Sequence, residues 1–252
     1  NVNKKKITEI DAKNKLQKFR KLNNNYLFPS FDTIAGAGSN GAIVHYKVSK
    51  KSNKTINKND LFLCDSGGQY KYGTTDVTRT ICFSEGKKSI KDAYTNVLKG
   101  HIAVYHTDLK KDNVGKKIDF RARKFLKKDG LDYAHGTGHG VGFFLNVHEG
   151  PQAISKFNTI KLLEGMILSN EPGYYKTGHY GIRIENLLFI KKSRKNLIFE
   201  NLTLAPIEKD LINFSLLTKS EKDYLFKYHL RIYTTFSKFL NLNERKWLAS
   251  LI

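Results

Sequence analysis

Asp65, Asp76, His139, Glu171 and Glu185 are side chains of the types that bind metal ions, and their spacing gathers them. Residues 61–70 (LFLCDSGGQY) and 72–83 (YGTTDVTRTICF) read as two strands meeting at a turn near Tyr70 and Lys71. Asp65 and Asp76 then lie equally far from the turn, and directly opposed residues of an antiparallel pair point to one face of the sheet. The same arithmetic recurs downstream. Glu171 and Glu185 are equidistant from Gly178, in the turn Lys176-Thr177-Gly178-His179 between MILSNEPGYY and YGIRIENLLFI. Two facing carboxylate pairs repel when ionised, and a pair of bound cations removes that conflict. The spacing predicts a dinuclear metal site, with His139 delivered from a separate histidine-glycine loop.

The elements that must position these residues can be read along the chain. Residues 8–24 have the pattern of a basic amphipathic helix with Ile10, Leu16 and Phe19 among its apolar positions. A loop through Pro29 and Gly-Ala-Gly-Ser-Asn-Gly leads to an expected strand at 42–48, and a Lys- and Asn-rich connector fills 50–60. After the aspartate hairpin, residues 89–107 and 114–128 read as helices, with Gly130 just past the second. Residues 134–150 read as a loop with short extended pieces, followed by the glutamate hairpin and a strand at 196–204. Helices are expected at 220–240 and 243–252. Each half holds helix and hairpin material, which suggests structural duplication without a visible sequence repeat.

The totals bound the class. The 252 residues allow one large domain with an appendage, and no apolar run is long enough to span a bilayer. The first six residues are polar and basic, with no secretory signal behind them. The only methionine is Met166, so the chain reads as a fragment or as lacking upstream residues. Net charge is +21. Lysines spread over the whole chain favour a solvated basic surface over a nucleic-acid site, which clusters its charge and favours arginine. Cys64 and Cys82 form no CxxC or zinc-knuckle pattern, and read as buried reduced thiols of a cytoplasmic protein; a disulfide between them is the lesser alternative.

The segments NGAIVHY, DSGGQYKYGTTDVTRT, HGTGHGVG, NVHEGPQ, SNEPGYY and GIRIEN, in this order, resemble the pita-bread metallopeptidases. More narrowly they resemble the Xaa-Pro aminopeptidases (aminopeptidase P) of the longer eukaryotic and bacterial type. The resemblance covers nearly the whole chain, including the tail LTLAPIEKDLI. It implies an α+β pita-bread fold at residues 1–205 with a small helical C-terminal extension at 206–252, and creatinase-like domains upstream. It also implies that Asp65 binds one metal, that Asp76 and Glu185 bridge two, and that His139 and Glu171 complete the second. Glu171 becomes the general base and acid, and Arg183 orients a ligand carboxylate. His148 and His45 become substrate contacts, and His135 lies beside the pocket for the residue after the cut. Four carboxylates and an imidazole suit two divalent ions, manganese by the family's preference, with cobalt, iron or zinc tolerated.

By that resemblance the reaction is removal of an N-terminal residue that precedes proline, by a hydroxide held between the metals. The implied partners are peptides with proline second, and a homodimer is compatible with the family. A prolidase acting on Xaa-Pro dipeptides is the nearest alternative, followed by methionine aminopeptidase. A non-catalytic pita-bread protein binding histones or RNA is a third reading, supported only by charge. The glycines of HGTGHGVG lack the strand-and-helix setting of a nucleotide loop and instead allow tight backbone turns near His139. His101, His106, His179 and His229 match none of the motifs and are expected to be non-catalytic.

Overall fold

Thr8 opens the first helix through a capping box, its hydroxyl accepting from Asp11 N while the Asp11 carboxylate accepts from Thr8 N. The structure, a computed structural model, describes residues 6–252; most of the basic stretch read at residues 1–6 lies outside the described residues. Of the apolar positions expected to anchor helix α1 (Glu9–Arg20), Ile10 and Leu16 are half-buried and Phe19 is 57% exposed. The buried residue of the helix is Glu9. That carboxylate accepts from Ala37 N, the Asn40 side chain, Tyr46 OH and Lys54 N, which offsets the cost of burying a charge.

Strand β1 (Tyr26–Pro29) and strand β2 (Ile34–Ala37) follow. The strand expected at 42–48 does not form: Gly38–Ala42 is a 3-10 turn, and β2 provides the extended segment instead. The chain turns back sharply here. A side chain at Gly36 would stand 2.7 Å from the Gly41 backbone nitrogen, so only glycine permits the approach.

Strands β3 (Phe62–Ser66), β4 (Gly68–Tyr70), β5 (Gly73–Thr74) and β6 (Val77–Ile81) make up the aspartate hairpin. One sheet runs β2-β3-β6 and a second β1-β4-β5. Tyr70 pairs with Gly73 and Asp65 with Thr78, so the turn is Lys71-Tyr72 and the register is displaced by two residues from the symmetric one. Asp76 therefore lies diagonal to Asp65 rather than opposite it. A two-residue displacement preserves the face, because side chains alternate with period two.

Helices α2 (Lys88–Tyr105) and α3 (Gly115–Lys128) come next, close to the expected bounds, and Gly130 adopts φ +70° just past α3. Two short strands, β7 (Gly138–His139) and β8 (Ala153–Ile154), pair with each other. Strands β9 (Ile167–Asn170), β10 (Gly173–Lys176), β11 (Tyr180–Arg183), β12 (Asn186–Ser193) and β13 (Asn196–Asn201) complete the sheets. Gly173 pairs with Arg183, and Asn170 with Asn186. One register thus runs through the second hairpin on both sides of Glu171 and Glu185, and it is the register expected from Gly178.

Helix α4 (Lys219–Phe236), capped by Thr218, ends earlier than expected, in a 3-10 turn at Ser237–Phe239, and α5 (Leu242–Ala249) follows a further capping box at Asn241. Leu217, Tyr224, Leu225, Tyr228, Ile232 and Leu248 share one apolar core with Val97, Leu98 and Ile102 of α2 and with Ile182 and Ile184. Arg79 joins the same regions by polar contacts. It donates to the carbonyls of Glu185 at 2.6 Å, Ala205 at 2.7 Å and Pro206 at 2.8 Å, and to Tyr228 Oη at 3.1 Å. Cys64 and Cys82 are both free, and half-buried rather than buried as expected. Among the described residues, no helix is long and apolar enough to cross a membrane.

Candidate metal centre

Asp65 lies within β3, but three of the ligand candidates sit where the strand ladders break. Asp76 immediately precedes β6, Glu171 stands between β9 and β10, and Glu185 between β11 and β12. Local backbone bonds lock them: Glu171 N donates to Thr137 O at 2.8 Å and Glu185 N to Thr78 O at 3.1 Å. His139 belongs to β7, and its N–H donates to Ser169 Oγ at 2.9 Å. Ser169 Oγ in turn donates to Glu171 Oε1 at 3.0 Å, so one hydroxyl links two of the candidates.

These elements enclose a cavity of about 520 Å³ lined by every residue singled out from the sequence: Asp65, Asp76, His139, Glu171, Glu185, Arg183, His45, His135 and His148. Ligand atoms of Asp76, His139 and Glu185 lie within 4.8 Å of one another. His139 Nε2 is 3.4 Å from Asp76 Oδ2 and 3.3 Å from Glu171 Oε1. Its Nδ1 faces the Gly140 carbonyl at 2.8 Å, which favours the tautomer that leaves Nε2 free to coordinate.

The electrostatics are those of a crowded anionic site. Burial raises Asp65 to about 6, with Arg183 opposing and Asp76 adding to the shift. Burial also raises Glu171 to about 7, against the charges of His139 and Arg183. Glu185, 1% exposed, is driven far upward by burial and then by Asp76, Glu171 and Asp65. Burial disfavours protonation of His139, but its hydrogen bond to Asp76 and the Glu171 charge outweigh that and raise it.

Arg183 is the buried cation of the group. It donates to Asp65 Oδ2 at 2.6 Å, to Thr78 Oγ1 at 3.1 Å and to Tyr175 Oη at 2.6 Å. One guanidinium cannot neutralise four carboxylates. Asp65 Oδ1 is buried with no hydrogen-bond partner, which is costly unless a cation meets it. The donor set, four carboxylates and an imidazole in a water-accessible cavity, fits two hard divalent cations.

Two contributors escaped the motif reading. Thr78 Oγ1 donates to Glu185 Oε2 at 2.7 Å, and Tyr175 Oη ties Arg183 to His135 Nε2 at 2.9 Å. Thr78 shares a face with Asp76 by period two, a signal available in the sequence; the Tyr175 contacts span the fold and leave no local trace. His135, lowered to about 4 by burial and then by Arg183, stays neutral. His148 and His45 are exposed at the cavity wall, and the His148 ring lies 3.9 Å from that of His139.

Comparison with known proteins agrees with this geometry. A fungal relative from Phaeosphaeria nodorum, named "Probable Xaa-Pro aminopeptidase P", is 44% identical over 92% of this chain and 38% of its own length. A crystal structure described as X-prolyl aminopeptidase from Caenorhabditis elegans, a cytosolic enzyme with a di-nuclear active site, superimposes with a TM-score of 0.92 at 39% identity, over 99% of this chain and 42% of that one. Prolidase from Pyrococcus furiosus gives a TM-score of 0.70 at 31% identity, over 79% of this chain and 56% of that one. The chain spans less than half the length of the curated relatives it matches. The model of metallopeptidase family M24 matches residues 1–192 and that of the C-terminal region of peptidase M24 matches 195–251, so the chain belongs to metallopeptidase family M24.

Proposed function

We propose that this chain is the catalytic part of a cytosolic, manganese-dependent aminopeptidase that removes the first residue of peptides with proline second. The observation that carries this reading is the convergence of Asp65, Asp76, His139, Glu171 and Glu185 on one cavity beside the exposed His148 and His45. Asp65, Asp76 and Glu185 would hold the ions with His139 and Glu171. A pair of divalent ions so held supplies an activated water and polarises the scissile carbonyl.

The protein's own groups provide the rest. Arg183 fixes Asp65 through Oδ2, and Oδ1, which has no protein partner, would be available to a cation. Glu171 has one oxygen held by Ser169 and the other 4.0 Å from Arg183 Nε, so it retains a basic lone pair able to take a proton and return it to the leaving nitrogen. His148, exposed at the cavity wall with its ring 3.9 Å from that of His139, offers an imidazole to substrate. Its replacement by alanine is expected to lower turnover by roughly 100-fold, within the range for a lost proton-transfer or positioning group. Metal content, read by elemental analysis, should not change. Full turnover in that variant would leave His148 a structural role only.

Proline specificity is supported by the relatives' names and by the similarity in fold. The deciding experiment gives metal-stripped protein Arg-Pro-Pro, Arg-Pro and Arg-Ala-Pro, before and after Mn²⁺. Manganese-dependent arginine release from Arg-Pro-Pro alone is the expected result. Preference for the dipeptide would make the chain a prolidase, and failure on all three with no metal bound would return it to the binding proteins.

A further inference from the structure

Glu9 is fully buried although it stands in the first turn of α1, and its carboxylate takes its donors from one stretch of chain. Oε1 accepts from Ala37 N at 2.7 Å and from Asn40 Nδ2 at 3.0 Å. Oε2 accepts from Tyr46 Oη at 2.9 Å and from Lys54 N at 3.0 Å. Starting α1 requires none of these bonds, since Thr8 and Asp11 already cap it. A carboxylate is all acceptor, so it can meet donors on both oxygens at once.

Those donors bracket the stretch that brings His45 to the cavity wall. Among the described residues, the backbone-to-backbone bonds of residues 43–53 stay within the stretch: Ile43 N to Asn40 O, Tyr46 N to Ile43 O, and Ser52 N and Asn53 N to Ser49 O. The backbone therefore does not tie His45 to the body of the fold. Side chains do, and they lead to the start of α1. Ile10 N donates to Asn53 Oδ1 at 3.1 Å, at the far end of the stretch. Beside His45, the buried Tyr46 ring packs with Ile34 and Leu63, and its hydroxyl meets Glu9. Apolar contact has no direction, whereas the hydroxyl bond fixes where the ring stops. His45, itself exposed, is held through this neighbour.

We propose that Glu9 is a positioning residue for the cavity wall, placing His45 against the substrate through Tyr46 Oη. This rests on the peptidase reading of the cavity, in which His45 meets the peptide. Charge matters as well as shape. A glutamine at position 9 turns its NH₂ toward Ala37 N in one orientation and toward Lys54 N in the other, so a donor faces a donor either way.

The test measures kcat/KM for Arg-Pro-Pro with saturating Mn²⁺, below the melting temperature of every variant. It compares wild type, Glu9→Gln, Tyr46→Phe and His45→Ala, and combines His45→Ala with each of the other two. Glu9→Gln should lower kcat/KM by roughly 10- to 100-fold, the scale of a small misplacement at a reacting site, and Tyr46→Phe by roughly 10-fold. Calorimetric titration should give wild-type Mn²⁺ affinity in both, because neither residue lines the cavity. On the His45→Ala background both losses should shrink to less than about twofold, since no imidazole is left to place. A merely structural role would cost the same with or without His45. Equal losses on the two backgrounds, no loss at all, or weakened Mn²⁺ binding overturns the proposal. If Glu9→Gln does not fold, Tyr46→Phe decides by the same comparison. Wild type that binds Mn²⁺ yet releases no arginine overturns the peptidase reading, and this role with it.

Discussion

Glu185→Gln is expected to reduce turnover by about 1,000-fold and to remove at least one metal ion per chain, because a carboxylate proposed to hold the ions loses its charge. The same substitution should stabilise the metal-free protein. Glu185 is 1% exposed, and its acidity is suppressed by burial and by Asp76, Glu171 and Asp65. An amide of the same shape keeps an oxygen for the Thr78 hydroxyl, now 2.7 Å away, without the repulsion. Melting curves with and without Mn²⁺, beside elemental analysis, read both effects. A higher melting temperature without metal and a smaller gain with it are the paired signature. Normal stoichiometry and turnover would take Glu185 out of the site.

Metal removal should also invert the pH dependence of stability. In the metal-free fold, Glu171 titrates near about 7 and Asp65 near about 6, both above the unfolded range of about 4. Between those values the folded state holds more protons than the unfolded one. The stability these groups contribute is therefore complete below about pH 4 and is lost as pH rises through their folded values to about 7. His139, also raised, acts in the same direction, its stabilisation lost as pH rises past its folded value. For Glu171 alone the change is roughly 3 kcal/mol. With saturating Mn²⁺ the carboxylates are held ionised, protons compete with metal, and stability should rise over the same window. Urea unfolding at pH 5 and 7.5, with and without Mn²⁺, gives the four numbers needed. Metal-free stability that increases with pH would contradict the clustering of these carboxylates.

Where local arithmetic governs structure, the sequence was sufficient. The equal spacing of Glu171 and Glu185 about Gly178 reappears as the pairings Gly173 with Arg183 and Asn170 with Asn186. The aspartate hairpin was legible in its face but not its register. Lys71-Tyr72 forms a two-residue turn, which shifts Asp65 onto Thr78 and leaves Asp76 diagonal to it. The expected strand at 42–48 failed for another reason: its Tyr46 is drawn to Glu9, a contact 37 residues away. Tyr175 was missed for the same cause. Its partner His135 lies 40 residues away, and no periodicity encodes such a bond.

Arg79 has a consequence for the order of events during synthesis. Its guanidinium grips the carbonyl of Glu185 with one nitrogen, and the carbonyls of Ala205 and Pro206 and the phenol of Tyr228 with the others. A chain emerging from the ribosome has made all five candidate ligands before Tyr228. Until α4 arrives, Arg79 lacks one of its acceptors, the core around Ile184 is open, and the acidic cluster has an unfinished floor. The floor of the cluster is thus closed late, by a part of the chain that supplies none of the candidate ligands.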